Sequence, residues 1–183
     1  MIEINRNEKM LSLDLLTNKM TLIFDSKSNL NQENIIELLK KDTTQKYYGI
    51  LGRDNNMIPF LSVSDNLLLN ISKKNKKEFL DHLNFFLDEF KLGSLSMNET
   101  ASNVSSHEQL VLQISRGIIL KQTIILFDQD KNQHESCQFL INIMPILNRI
   151  SHKTNATIII CTSNPQVANS PYYDQCLLLT NLL

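Results

Sequence analysis

Residues Val104 to Asp130, VSSHEQLVLQISRGIILKQTIILFDQD, constrain the fold more tightly than any other part of the chain. From Glu108 onward the apolar positions Leu110, Val111, Ile114, Ile118 and Ile119 recur at helical spacing. Thr123 to Phe127 is then an uninterrupted apolar run of strand length, closed by Asp128. The stretch therefore predicts a helix that feeds directly into a buried strand with a carboxylate at its end. Ser105 and Glu108 have the S-x-x-E spacing of a capping box, which starts such a helix without any ligand.

The same alternation extends on both sides. Met20 to Phe24 (MTLIF), Tyr47 to Leu51, Ala156 to Cys161 (ATIIIC) and Cys176 to Leu179 are apolar runs of strand length. Between them, Asn29 to Lys41 places acidic residues early and lysines last, an order that suits the helix dipole. Asp65 to Ile71 is a short helix candidate capped by Ser64 or Asp65. Glu78 to Phe90 is strongly amphipathic, with Gly93 in the expected stop position. His134 to Ser151 is a helix that Pro145 is expected to break or kink. Apolar strands alternating with helices indicate an α/β fold with a mostly parallel sheet covered on both faces. There is no repeat, low-complexity linker or boundary, so 1–183 is expected to be a single domain. A chain of this size buries about 70% of its unfolded surface.

Composition excludes several classes. Eighteen Lys and Arg against 19 Asp and Glu give a net charge of -1, with no basic excess for a nucleic-acid stripe. The runs KKNKK (Lys73 to Lys77) and Lys40–Lys41 read as solvated helix ends. Cys137, Cys161 and Cys176 form no disulfide framework, and the four histidines form no ligand pair, so no metal site is expected. The polar N-terminus MIEINRNEKM is not a signal peptide, and Phe139 to Leu147 is too short to span a bilayer. The expectation is a soluble cytoplasmic chain that a partner must hold at any membrane it serves. Gly49, Gly52, Gly93 and Gly117 are the only glycines, which rules out G-x-G-x-x-G, G-x-x-x-x-G-K-[ST] and G-x-S-x-G sites.

The opening stretch resembles the core of an ATP-binding cassette (ABC) ATPase, whose signature loop L-S-G-G-E/Q opens a helix that precedes a strand ending D-E. Ser105, Ser106, His107 and Glu108 stand at the signature loop. YGILGRDNNMIPFLSVSDNL, from Tyr48 to Leu67, is similar to the Q-loop segment of the lipoprotein-release, macrolide-export and antimicrobial-peptide branch. Gly49, Asp54, Pro59, Leu61, Val63 and Asn66 fall in place there, and Arg53 occupies the glutamine position. TIIICTSNPQVA, from Thr157 to Ala168, resembles the switch segment, and YDQCLLL from Tyr173 the closing strand.

What the resemblance implies is a P-loop NTPase-like cassette core with a helical subdomain at about 64–104, a reduced antiparallel β-subdomain and a degenerate nucleotide site. The phosphate-binding loop is replaced by DSKSNLNQE (Asp25 to Glu33), which has no glycine to let backbone N–H groups wrap a phosphate. Its lysine position falls on Asn31 and its hydroxyl positions on Gln32 and Glu33. At an effective dielectric near 20, a like-charge contact at about 4 Å opposes binding by about 4 kcal/mol, so Asp25 and Glu33 disfavour a triphosphate. Asp128 keeps the Walker B position, but the general base that should follow it is Gln129. A neutral amide cannot accept a proton from water, a loss of about two to four orders of magnitude in rate. Ser163 replaces the switch histidine, and Glu135 stands at the D-loop aspartate.

No catalytic residue is therefore expected, and no cofactor unless a partner chain supplies the phosphate loop for Mg-ATP. An Arg53–Asp128 ion pair is expected to fill the metal position. The leading reading is a pseudo-ATPase subunit that docks a membrane permease, pairs with an active cassette, or both, in peptide or drug export or immunity. It neither inserts directly into the membrane nor binds nucleic acid. Two alternatives remain open: a nucleotide-dependent ATPase working only in a heterodimer, and a free-standing regulatory scaffold with the same fold.

Overall fold

The computed structural model describes residues 2–3, 16–25, 47–51, 57–129 and 137–178. Three strands come first: β1 (Ile2–Glu3), β2 (Met20–Phe24) and β3 (Tyr47–Leu51). Helices α1 (Val63–Leu67), α2 (Lys76–Glu89) and α3 (Ser106–Ile119) follow. Then β4 (Ile124–Asp128), α4 (Cys137–Lys153), β5 (Thr157–Thr162), α5 (Pro165–Ala168) and β6 (Gln175–Leu178) alternate.

The strands form one six-stranded sheet in the order β1-β6-β2-β5-β4-β3, and every pairing is parallel. Register is set centrally by Met20 opposite Ile158 and Ile124 opposite Thr157. Parallel neighbours need a crossover on a face of the sheet, and the helices supply it. β4 and β5 are buried along their whole length, which is why both read as unbroken apolar runs. No antiparallel strand pair occurs among the described residues apart from an isolated bridge between Ser62 and Thr100. The helix expected over Asn29 to Lys41 lies outside them.

Two apolar clusters of described residues hold the layers together. One joins Leu22, Phe127 and Ile160 of the sheet to Leu140, Met144 and Leu147 of α4 and to Val111 and Ile114 of α3. The other gathers Val63, Leu67, Phe79, Leu83, Leu87 and Leu112 beneath α1 and α2. Successive faces of α3 belong to different clusters, so this helix is the joint between them.

Several expected boundaries are corrected. β1 was hidden in a polar terminus because two residues are too few to show a pattern. α1 starts earlier than Asp65, with Ser62 as its cap: the Ser62 hydroxyl accepts from the Asp65 N–H at 3.0 Å and donates to the Asp65 carboxylate at 2.7 Å. Asp65 is thus the reciprocal partner of the cap and not the cap itself. The helix stops at Leu67, short of Ile71, and Asn70 turns left-handed beyond it at φ 63°.

Gly93 does not provide the stop for α2. Lys91 takes the left-handed position at φ 59°, with the Leu92 N–H bonded to the Leu87 carbonyl at 2.7 Å and the Lys91 N–H to that of Asp88 at 3.0 Å. That pair of bonds is a Schellman motif. Pro145 does not break α4, which runs continuously from Cys137 to Lys153. The proline is on the exposed side, where water can take the carbonyl freed one turn earlier.

Candidate functional site at the strand ends

Because all strands point the same way, the ends of β2, β4 and β5 arrive together at one edge. The Asp25 N–H donates to the Thr162 carbonyl at 3.1 Å, and the Gln129 N–H to the Cys161 carbonyl at 2.9 Å. Asp25 and Asp128 flank the end of β5 from the two neighbouring strands, 6% and 3% exposed. Clefts outside the carboxyl ends of parallel strands are where ligands bind in open α/β sheets.

The chemistry of this edge centres on Thr162. Its hydroxyl donates to the Gln129 side-chain oxygen and accepts from the Asn164 N–H at 2.9 Å. Asn164 in turn caps α5, its side-chain oxygen accepting from the Gln166 N–H at 2.8 Å, with Pro165 opening the helix. Gln129 is therefore tied sideways to β5. The structure brings Asp128, Gln129 and Ser163 to the same edge. Asn31, Gln32, Glu33, Arg53 and Glu135 lie outside the described residues, and with them the expected Arg53–Asp128 pair.

The sequence reading missed Thr162 and Asn164. The available signal was a β-branched hydroxyl ending a buried strand immediately before the Asn-Pro helix start.

Ser105 to Glu108 stand at the head of α3. The Ser105 hydroxyl donates to the Glu108 carboxylate at 2.6 Å and accepts from the Glu108 N–H at 3.3 Å, while the same carboxylate accepts from the Ser105 N–H at 3.0 Å. The capping box is complete. His107 stacks on Phe139 of α4, ring centres 3.9 Å apart and 15° from coplanar. It fastens the first turn of α3 to the neighbouring helix.

The segment before α1 is bound to the segment before α3. The Val63 N–H reaches the Glu99 carbonyl at 2.8 Å, the Ala101 N–H the Leu61 carbonyl at 2.9 Å, and the Ser102 N–H the Pro59 carbonyl at 3.1 Å. Asn66 secures the turn from within: its oxygen accepts from the Ile58 N–H at 2.6 Å and its amide donates to the carbonyls of Ile58 and Ser62, both at 3.0 Å. Gln109 does the same for the other segment, donating to Ala101 and Val104 at 2.8 and 2.9 Å. Arg116 closes the end of α1 through the Leu67 carbonyl at 3.1 Å and the Leu69 carbonyl at 2.9 Å. On this braced turn Phe60 is 77% exposed.

At the opposite edge of the sheet, Asp174 accepts from the Met20 N–H at 2.9 Å, from Asn148 at 3.1 Å and from His152 at 2.8 Å. Burial works against ionisation of this carboxyl, but the Met20 N–H, His152 and Lys19 outweigh it and hold the group below the usual carboxylate value. This is a structural clamp between β2, α4 and β6. Among the described residues, no three His, Cys, Asp or Glu side chains gather into a metal site. None of their helices is long and apolar enough to cross a membrane.

This fold matches that of solved ATP-binding cassettes of ABC transporters. A nucleotide-free cassette from an ABC transporter superposes with a TM-score of 0.61 at 15% identity, over 90% of this chain and 78% of that one. A dimeric bacterial ABC transporter cassette gives 0.58 at 18% identity, over 91% and 83%. Its post-hydrolysis state with ADP and Pi gives 0.59 at 18%, over 92% and 84%. In sequence, the chain is 24% identical over 152 residues to the lipoprotein-releasing system ATP-binding protein LolD of Leptospira interrogans. The aligned part covers 81% of this chain and 61% of that protein. No protein-family model matches the sequence.

Proposed function

We propose that this chain is a catalytically degenerate ABC-type subunit that docks a membrane permease, pairs with an active cassette, or does both, in peptide or drug export or immunity. It is read as one domain over 1–183 with a helical subdomain at about 64–104. It works in the cytoplasm, at the inner face of the membrane only through a partner. The observation that carries this reading is Gln129, a carboxamide at the general-base position whose oxygen already accepts the Thr162 hydroxyl. An amide lacks the basicity to take a proton from water, and this one is already oriented by Thr162.

The residues on offer fit a magnesium nucleotide poorly. Asp128 suits a divalent cation, but the 25–33 segment has no glycine and begins with a second buried carboxylate, Asp25. Mg-ATP is then a ligand only at a composite site whose phosphate loop a partner provides. The hydrogen-bonded turn bearing Phe60 supports docking, because a rigid exposed aromatic loses little entropy on binding.

Affinity purification of the intact chain from its host, with calorimetry of the isolated chain against Mg-ATP, tests the reading. A permease or a second cassette is expected to co-purify, and the isolated chain is expected to give no binding heat. Micromolar binding by the isolated chain would overturn it. Co-fractionation with cytosol and no permease would favour a scaffold instead. The exposure of Ser105 at the head of α3 favours one second reading, a heterodimeric ATPase. That reading requires ATP-dependent dimerisation and a partner ATPase rate that falls on Ser105→Arg.

A further inference from the structure

The loop after α1, the first half of α2 and the end of α3 enclose a groove of about 420 Å³, a size that suits a small organic molecule. Asn75, Glu78, Phe79 and His82 line it at helical spacing, as one stripe of α2 and its cap. Ile119 and Lys121 line it from the end of α3, and Ile71 and Ser72 from the loop. Lys121 lies just before β4 begins at Ile124, so the groove is at the opposite end of that strand from Asp128 and Gln129.

Phe79, only 4% exposed, is the apolar floor, with Ile71 and Ile119 half-buried beside it. The polar lining is not used by the fold. Among the described residues, the side chains of Ser72, Asn75, Glu78, His82 and Lys121 have no hydrogen-bond or ion-pair partner in the protein. Ser72 has the extended backbone of a helix cap, at φ -62° and ψ 147°, yet its hydroxyl makes no capping bond. Ser62, Ser105 and Asn164, in the same backbone region, all cap their helices. Glu78 in the first turn of α2 and Lys121 beyond the last turn of α3 each suit a helix dipole. The dipoles account for each charge, but not for an acid and a base that open onto one groove without pairing.

We infer that the groove binds a small zwitterion with an apolar side chain, the chemistry shared by a free amino acid and a short peptide. Its ammonium faces Glu78, its carboxylate faces Lys121, and its side chain lies over Phe79 and Ile119. The Ser72 hydroxyl and the Asn75 amide remain for further hydrogen bonds. A ligand with a single charge leaves Glu78 or Lys121 without a counter-charge, and one without an apolar part leaves the Phe79 floor uncovered. The inference does not depend on the permease reading, since it concerns other residues and is tested on the isolated chain.

Calorimetry and amide-resolved NMR on the full chain test this with L-leucine and leucyl-leucine as probes. Isocaproate (leucine without its ammonium), isoamylamine (leucine without its carboxylate) and glycine serve as controls. Saturable binding of leucine, the dipeptide or both is expected, with shifts centred on 70–82 and 119–121, and the tighter probe identifies the source. Each control is expected to bind at least about tenfold more weakly. Glu78→Gln should weaken the tighter probe by about tenfold and leave isocaproate unchanged, whereas Lys121→Gln should weaken it similarly and leave isoamylamine unchanged. Both side chains are exposed, so neither substitution disturbs the core. No saturable binding of either probe, shifts confined to other residues, controls that bind as tightly, or binding insensitive to both substitutions would overturn the inference.

Discussion

Asn66 is 5% exposed, and its side-chain oxygen gives the Ile58 N–H a partner, while its amide adds a second donor to the carbonyls of Ile58 and Ser62. Asn66→Ala leaves the Ile58 N–H without that partner, and the expected loss is about 1–3 kcal/mol in a urea unfolding titration. Asp174 makes a prediction with a sign. A carboxyl whose folded pKa is depressed stabilises the fold at pH values above its unfolded value of 3.8, and that contribution disappears as pH falls below it. Wild type should therefore lose stability between about pH 5 and pH 3 more steeply than Asp174→Asn, measured by denaturant midpoints at each pH. At this scale the sequence revealed the residue types and not their partners. Asp128 and Gln129 were legible because an acid ending an apolar run is a local pattern. Thr162 was not, because the oxygen it bonds is 33 positions away.

β2, β4 and β5 were legible almost to the residue, since burial leaves an unbroken apolar run with polar limits. Helix ends were not. α2 and α3 both stop at a lysine in the left-handed region, Lys91 and Lys121, followed by Leu92 bonded to Leu87 and Gln122 bonded to Gly117. Lysine has no intrinsic preference for that role; the closing carbonyls fix it. Lys91→Gly removes about 1–2 kcal/mol of strain against a smaller cost from the greater entropy of the unfolded chain, for a net gain of about 0.5–1 kcal/mol in thermal or urea unfolding. A loss of stability in that variant would show that the Lys91 side chain contributes something the backbone argument omits. The start of α1 was misplaced for a related reason: Ser62 and Asp65 bond reciprocally, and sequence alone does not say which member is the cap.

At the scale of the whole molecule, α3 joins the two apolar clusters formed by the described residues. Leu112 is fully buried on the helical side, while Val111 and Ile114 face the sheet. Leu112→Ala is expected to cost about 2–5 kcal/mol, and a single unfolding transition recorded by both fluorescence and circular dichroism would show that the clusters melt together. The sequence by itself determined the alternation of strand and helix, the parallel sheet and the absence of glycine from the 25–33 segment. Each follows from short-range periodicity or residue type. Only the tertiary structure decided that Gln129 is held by Thr162 and that Arg116 closes α1. Those meetings depend on strand order and helix crossing, which bring together residues that have no neighbourhood in the chain.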